Sequence, residues 1–230
     1  MLERISPENG EKLTVVKGQQ KIRNVYRPWL KAAFRVGLES GRRREEVMEL
    51  KFNNVLSNNE GTLLIKVQDF KTNRSQNRQE EEELKYIYIP VTVRLKELLD
   101  ELGYETYKGQ DRYIIAPEEM RSEAMLDALS NAFTHYYSQL NTGRELTFKC
   151  LRKTYITNLS LYMGNDTKSI TKHSSNEVIE KHYLDKEALA KAASGFDVFA
   201  KEREAGRKKE IQAEPDLGLN KETKEVDYER

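Results

Sequence analysis

Residues 40–50 read Ser-Gly-Arg-Arg-Arg-Glu-Glu-Val-Met-Glu-Leu, with three consecutive arginines before two glutamates. The Ser-Gly pair separates a predicted helix, residues 26–38, from a second predicted helix, residues 43–50. Free backbone N–H groups at a helix start attract anions, and an arginine there can bind two phosphate oxygens at once. Taken alone, a triple arginine is typical of a solvated basic turn, so its meaning depends on the rest of the chain.

The flanking residues predict an α+β fold that is mainly α-helical, with a small three-stranded antiparallel sheet near the N-terminal half. A strong turn signal, Asn-Asn-Glu-Gly at residues 58–61, separates the first two strands. The predicted strands are residues 52–56, 62–70 and 86–90. The predicted later helices are residues 91–102, 122–140, 148–163, 166–171, 175–182 and 186–200.

Composition divides the chain into three parts. Residues 1–20 are polar and carry Pro7 and Gly10, so they are predicted to be a linker or lead-in. Residues 21–200 hold the apolar periodic stretches and form the predicted folded domain. Residues 201–230 are highly charged and are predicted to be a disordered tail.

The charge of the chain is nearly balanced, with 39 Lys and Arg against 38 Asp and Glu, a net charge of +1. A protein that held nucleic acid through bulk positive charge would be more basic. The distribution is uneven, because residues 17–51 contain ten basic residues and four glutamates, a local net charge of +6. Basic charge is therefore concentrated around the triple arginine.

The single cysteine, Cys150, allows no internal disulfide and is typical of a reducing compartment. Three histidines and one cysteine are too sparse for a structural zinc site, and we expect no metal or cofactor. The sequence has no apolar run of about 18 residues that would predict a membrane span, and its N-terminus lacks the apolar core of a signal peptide. We therefore expect a cytoplasmic protein without a membrane partner.

A second group of polar residues follows in the C-terminal half. Lys149 and Arg152 are three residues apart and share one face of a predicted helix. His173 comes next, and Tyr183 follows ten residues later. Each of these residues alone is more typical of packing or of a solvated surface. Together with an arginine from the first stretch, they could surround a phosphate and supply a phenol that attacks it.

These residues, in this order, resemble the catalytic domain of the tyrosine recombinase (phage integrase) family. The motifs of that family read T-G-x-R-x-x-E with a leucine four residues later, then H-x-x-R-H-T, then G-H-S-S and a tyrosine nine or ten residues on. The resemblance covers residues 21–200. The matching residues here are Gly41, Arg43, Glu46, Leu50, Lys71 with Thr72 between two strands, Lys149, Arg152, His173, Ser174, Ser175 and Tyr183.

The chain departs from the family pattern at Ser40, Lys149, Lys153 and Lys172. Lys149 stands where histidine is common, a place at which the family tolerates lysine. Lys172 replaces the usual glycine before His173. Arg42 and Arg44 flank Arg43, so the register of the first motif rests on the glycine before it and the glutamate after it.

The resemblance implies a metal-free phosphoryl transfer on DNA. Arg43 and Arg152 would bind the two non-bridging oxygens of the scissile phosphate and stabilise the negative transition state. His173 and Lys149 would add hydrogen bonds to the same phosphate. Glu46, one turn after Arg43, is expected to be a buried acid that orients the arginine.

The resemblance also implies a covalent intermediate. Tyr183 would attack phosphorus in line and form a 3′-phosphotyrosine link, which a new 5′-hydroxyl can reseal without ATP. Lys71 would protonate the departing 5′-oxygen, and the polar stretch after it is expected to let this lysine swing in when DNA binds. The alternative for Lys71, without the family context, is a solvated lysine at the end of a strand.

The implied partners are double-stranded DNA and further copies of the chain. In the resembling family, a segment like residues 186–200 docks onto the adjacent protomer of a tetramer on DNA. The alternative is that this apolar segment folds back on its own domain. Complete integrases also carry an N-terminal helical DNA-binding domain, and only about 20 residues precede the catalytic match here, so we expect a fragment of a longer integrase.

Three other functions are compatible with parts of the pattern. A DNA-binding regulator on the same fold would have lost Tyr183 or an arginine, and all of these residues are present. A type IB topoisomerase-like relaxase would use the same chemistry as a monomer. A helical interaction module would leave the ordered basic residues unexplained.

Overall fold

The computed structural model describes residues 1–58, 61–163 and 195–199. This part has the α+β, mainly helical fold that the sequence predicts. Its helices are Leu30–Ser40 (α1), Arg44–Met48 (α2), Phe70–Ser75 (α3), Val93–Glu101 (α4), Tyr104–Tyr107 (α5), Glu123–Ser138 (α6) and Lys149–Met163 (α7). Short 3-10 helices cover Leu2–Arg4, Glu8–Gly10, Phe52–Asn54 and Glu81–Glu83. None of these helices is long and apolar enough to cross a membrane.

The predicted three-stranded sheet is confirmed as Val55–Ser57 (β3), Leu63–Gln68 (β4) and Tyr86–Pro90 (β5), antiparallel in the order β3-β4-β5. Ile65 in the central strand lies opposite Val55 and Ile89. The first strand starts later than predicted, because residues 52–54 form a 3-10 turn in which Asn54 accepts a hydrogen bond from the backbone of Lys51 at 2.9 Å. The sheet buries its apolar side chains in the main core.

Helix α1 lies at the centre of the core and contacts α2, α4, α6 and α7. Its Phe34 ring packs edge-on against Phe133 of α6, with ring centroids 5.3 Å apart. Gly37 lets Phe148 approach the helix closely, since a Cβ at this glycine would lie 2.7 Å from the Phe148 ring. This packing fixes the end of α1 against the start of α7, where the two motifs of basic residues meet.

The predicted lead-in, residues 1–20, is not a linker over its whole length. Residues Glu11–Val16 (β1) and Gln19–Asn24 (β2) pair as an antiparallel hairpin. Lys17 and Gly18 at its tip both have positive φ, at 52° and 77°, as a two-residue type I′ turn requires. The hairpin was not predicted because its apolar residues, Leu13, Val15 and Ile22, are few and stay exposed on one face.

The predicted helices at residues 166–171 and 175–182, and the tail from residue 200 on, lie outside the described residues. The helix predicted to reach residue 200 is wrong at its end, since residues 195–199 are turn and coil. Phe196 packs against the rings of Tyr155 and Tyr162, at centroid distances of 5.5 and 5.6 Å. Phe196 and Val198 are buried against α7, so this short piece folds back on its own chain.

Candidate active site

Four of the predicted site residues line one cleft of about 1160 Å³. These are Arg43, Lys71, Lys149 and Arg152. They come from the start of α2, the first turn of α3 and the start of α7, which are far apart in the sequence. His173 and Tyr183, the other two predicted site residues, lie outside the described residues, so their placement stays a prediction.

Arg43 occupies the N-cap position of α2 and is held by two buried acids. Its backbone N–H donates to Glu46 Oε2 at 3.1 Å, and its Nη1 donates to Glu46 Oε1 at 2.5 Å. The Oδ1 atom of Asp69 lies 3.6 Å from the same Nη1. Glu46 and Asp69 are 1% and 0% exposed. The two carboxylates therefore hold the guanidinium in place. About a third of the Arg43 side chain remains exposed, and the residue lines the cleft.

Lys71 lies in the first turn of helix α3, and the following residues to Ser75, which were expected to be a polar loop, belong to the same helix. Asp69 caps this helix, accepting hydrogen bonds from the Thr72 backbone at 3.2 Å and from the Thr72 hydroxyl at 2.6 Å. The same carboxylate thus positions Arg43 and begins the helix that carries Lys71. The Lys71 side chain itself is exposed, where it can reach a ligand in the cleft.

Arg152 reaches from α7 to the end of α1, where its Nη1 donates to the carbonyl oxygen of Gly41 at 2.7 Å. Burial, followed by the charges of Arg42 and Arg43, lowers the pKa of Arg152 to about 10. Arg152 therefore remains a cation at neutral pH but lies in a strongly positive environment. An anion bound nearby would relieve that repulsion.

Gly41 is required at the end of α1 for two reasons. Its φ is +63°, in the left-handed region that favours glycine. The Tyr155 ring also packs directly against it, so that a Cβ would lie 2.3 Å from Tyr155 Cδ1. This close approach brings α7 against the turn and places Arg152 beside the start of α2.

Arg42 is a site residue that the sequence analysis considered only as a neighbour of Arg43. It is fully buried, and its Nε donates to the carbonyl oxygen of Ser40 at 3.2 Å. In the structure, the two terminal guanidinium nitrogens of this residue have no hydrogen-bond partner. Burial lowers its pKa, and the charge of Glu46 partly opposes that shift. Its burial depends on tertiary packing, and no sequence signal predicts it.

Two further arginines line the cleft and are held by acids on its walls. Arg44 donates to Glu123 at 2.9 Å, to Asp127 at 3.1 Å and to Ser130 at 3.0 Å, which joins α2 to α6. Arg74 of α3 forms an ion pair with Glu45. Both arginines are presented to the cleft from rigid elements. The sequence analysis did not identify Arg74, because its stretch was predicted to be a polar loop.

The cleft carries a surplus of positive charge that the whole chain lacks. Among the described residues, seven cationic side chains and three acidic ones line it, whereas the net charge of the chain is only +1. The cationic ones are Arg42, Arg43, Arg44, Lys71, Arg74, Lys149 and Arg152, and the acidic ones are Glu45, Glu46 and Glu123. Such a cleft attracts a polyanion and suits transfer of a phosphoryl group.

Comparison with solved structures finds a similarity to the XerH site-specific recombinase, in a crystal structure of its post-cleavage complex with a palindromic difH substrate. The chains are 18% identical with a TM-score of 0.42, over 72% of this chain and 45% of that one. The chain thus spans less than half the length of that protein's chain. No known protein family and no curated protein matches the sequence.

Proposed function

We propose that this chain is the catalytic part of a site-specific DNA recombinase, which cuts and rejoins duplex DNA through a covalent 3′-phosphotyrosine intermediate. The observation that carries this proposal is the cleft in which Arg43, Lys71, Lys149 and Arg152 meet. These residues come from distant parts of the chain, and they are the ones that the family motifs select. Their convergence in one positive cleft supports a common substrate, the phosphodiester backbone.

Arg43 and Arg152 bind the two non-bridging oxygens of the scissile phosphate in this proposal. The Glu46 and Asp69 carboxylates hold the Arg43 guanidinium in place, so little reorganisation is needed when charge develops in the transition state. Arg152 has one nitrogen bound to Gly41 and further N–H groups to donate. Lys149 at the start of α7 and His173 add hydrogen bonds to the same phosphate.

Tyr183 attacks as the phenolate after its proton has passed to solvent, and the cations of the cleft would favour this ionised form. The bond from its oxygen to phosphorus forms while the bond from phosphorus to the 5′-oxygen breaks. Lys71 donates a proton to that leaving oxygen, and the released strand carries a 5′-hydroxyl. Attack of a 5′-hydroxyl on the phosphotyrosine reverses these steps and joins the strands.

A covalent-trapping assay tests the nucleophile. The parent chain, Tyr183→Phe and a matched control, Tyr162→Phe, are incubated with EDTA and a pool of nicked duplexes of randomised sequence. The nick lets the short cleaved piece diffuse away, so the covalent intermediate accumulates. We expect a slow band on denaturing gels from the parent and from Tyr162→Phe, and none from Tyr183→Phe. No band from a parent that binds the duplexes would contradict catalysis and favour a DNA-binding regulator.

The role of Lys71 is tested with a substrate whose 5′-bridging oxygen is replaced by sulfur. A thiolate leaves without protonation because a thiol has a pKa of about 8.5. We expect Lys71→Ala to form little covalent product with the oxygen substrate and to recover with the sulfur substrate. Arg152→Ala should be impaired with both, since it acts on the non-bridging oxygens. Equal impairment of Lys71→Ala on both substrates would argue against a general acid.

Of the segment 186–200, which was expected to dock onto a neighbouring protomer, Phe196 and Val198 are packed on their own chain. The contact between protomers in the proposed tetramer is therefore assigned to residues 186–194. Crosslinking on nicked duplexes followed by mass measurement would test it. Strand exchange between two duplexes is expected from a recombinase. Relaxation of supercoiled plasmid by a monomer, without exchange, would indicate the alternative of a type IB topoisomerase-like enzyme.

A further inference from the structure

The hairpin of β1 and β2 is separate from the three-stranded sheet. Every residue of β2 is exposed, and β1 alternates between exposed and partly exposed residues. A two-stranded hairpin is marginally stable in water when no third element covers it. An exposed ribbon of this kind is therefore a candidate for contact with a partner.

The two faces of the hairpin differ in chemistry. In the strand register, Lys12 lies opposite Arg23, Thr14 opposite Lys21 and Val16 opposite Gln19, and these pairs share one face. This polar face carries three cations among its six residues. Like charges directly opposite each other destabilise an antiparallel pair, so the Lys12–Arg23 pair is unfavourable until an anion lies against it. Leu13, Val15 and Ile22 lie on the other face.

The base of the hairpin is fixed to the helix that also lines the cleft. On α6, Tyr136 donates to the carbonyl oxygen of Ser6 at 3.0 Å, and Gln139 donates to that of Asn9 at 2.8 Å. Thr134, one turn earlier on the same helix, lines the cleft. With a rise of about 1.5 Å per residue, Thr134 and Gln139 are only about 8 Å apart along the axis. The cleft and the base of the hairpin therefore lie near the same end of α6.

We propose that the hairpin is a second DNA contact, a two-stranded ribbon that lies in the major groove of the duplex whose scissile phosphate occupies the cleft. This inference rests on the proposed function. The major groove of B-DNA admits a two-stranded β-ribbon, and Lys, Arg, Gln and Thr are side chains that bind base edges and phosphates there. Lys12, Lys21 and Arg23 supply the phosphate and base-edge contacts, with Thr14 and Gln19 between them.

The test measures binding of a fluorescent 30-base-pair duplex over a series of salt concentrations. The basic-face variant Lys12→Gln/Lys21→Gln/Arg23→Gln is compared with the parent. Each lost phosphate contact reduces the slope of log K against log salt by about 0.9. We expect the basic-face variant to bind at least about tenfold more weakly at low salt, with a slope reduced by about 2 to 3.

Two matched controls separate the possible causes of a loss of DNA binding in the basic-face variant. Lys96→Gln/Lys108→Gln/Arg112→Gln removes the same charge from side chains that do not line the cleft, and it should bind like the parent. Leu13→Thr/Val15→Thr/Ile22→Thr changes the opposite face and should leave the slope unchanged. An unchanged slope for the basic-face variant would overturn the inference, as would equal losses for both hairpin variants, which would indicate an effect of the hairpin fold and not of its basic face. Failure of the parent to bind DNA would instead overturn the proposed function itself.

Discussion

At the scale of single residues, Arg42 is a buried cation whose side chain makes one hydrogen bond, to the carbonyl oxygen of Ser40. Its side chain is fully buried, and its two terminal nitrogens have no hydrogen-bond partner in the structure. The charge of Arg42 is also the largest charge effect that lowers the pKa of Arg152. A buried cation of this kind costs folding free energy. Its positive charge next to the phosphate site is the benefit that we expect to offset this cost.

Replacing Arg42 with methionine should therefore change stability and activity in opposite directions. We expect Arg42→Met to raise the free energy of unfolding by about 1–4 kcal/mol, because an uncompensated buried charge is removed. Covalent trapping should slow roughly tenfold, less than after loss of a donor that touches the phosphate. Urea unfolding and single-turnover trapping measure the two effects. Arg42→Lys, which keeps a charge, should retain more activity, and a loss of stability in Arg42→Met would instead indicate a structural residue.

At the scale of elements, the short helices α2 and α3 are joined through Asp69. This residue ends the turn after β4, caps α3 through Thr72 and lies 3.6 Å from Arg43 Nη1. Neither helix is long enough to be stable alone. One buried carboxylate therefore helps to position both Lys71, through the cap of its helix, and Arg43, which Glu46 also holds.

Substitution of Asp69 tests this dependence against a second helix cap. Thr92 caps α4 by accepting from the Leu95 backbone at 3.2 Å, and it does not line the cleft. Loss of either cap, in Asp69→Ala or Thr92→Ala, should cost about 1 kcal/mol of stability. Only Asp69→Ala should also slow covalent trapping, since it removes one of the two acids beside Arg43 and the cap of the helix that carries Lys71. Equal trapping rates in the two variants would contradict the role of Asp69 in the cleft.

Across the whole molecule, α1 faces both the main core and the small cluster in which Phe196 and Val198 pack on α7. Glu39 lies at this second junction, and its Oε2 has no hydrogen-bond partner in the structure. Burial, and then the charge of Asp197, raise the pKa of Glu39 to about 7. The charges of Arg94 and Arg35 oppose the shift without cancelling it.

This shift predicts the pH dependence of stability. The pKa of Glu39 rises from 4.5 in the unfolded chain to about 7 on folding, so the folded state binds more protons between these values. The free energy of unfolding then falls as pH rises through this window, by at most about 3 kcal/mol from this group. In Glu39→Gln, the pH dependence that Glu39 gives to the free energy of unfolding should be absent. Denaturant unfolding at pH 5 and pH 8 should show that the variant gains stability relative to the parent at pH 8, and an equal difference at both values would contradict the shift.

The sequence by itself determined those parts of the structure that depend on residues close together in the chain. Helices α6 and α7 and strand β5 follow from apolar periodicity, because each buries one face that repeats along the chain. The pairing of Arg43 with Glu46 follows from the i, i+3 spacing at a helix start. The order of the basic motifs predicted four residues that line one cleft. For His173 and Tyr183, the motif order remains the basis of the assignment.

Only the tertiary structure decided the contacts between distant segments. Asp69 lies beside Arg43 although the two are 26 positions apart in the sequence. Arg44 contacts α6, which is about 80 positions away. The hairpin was missed because its few apolar side chains stay exposed and bury no face. The turn at Phe196 was missed because its side chain packs against the rings of α7. Such features depend on which surfaces pack together in space. That packing is set by burial and charge summed over the whole domain, which no local pattern of residues encodes.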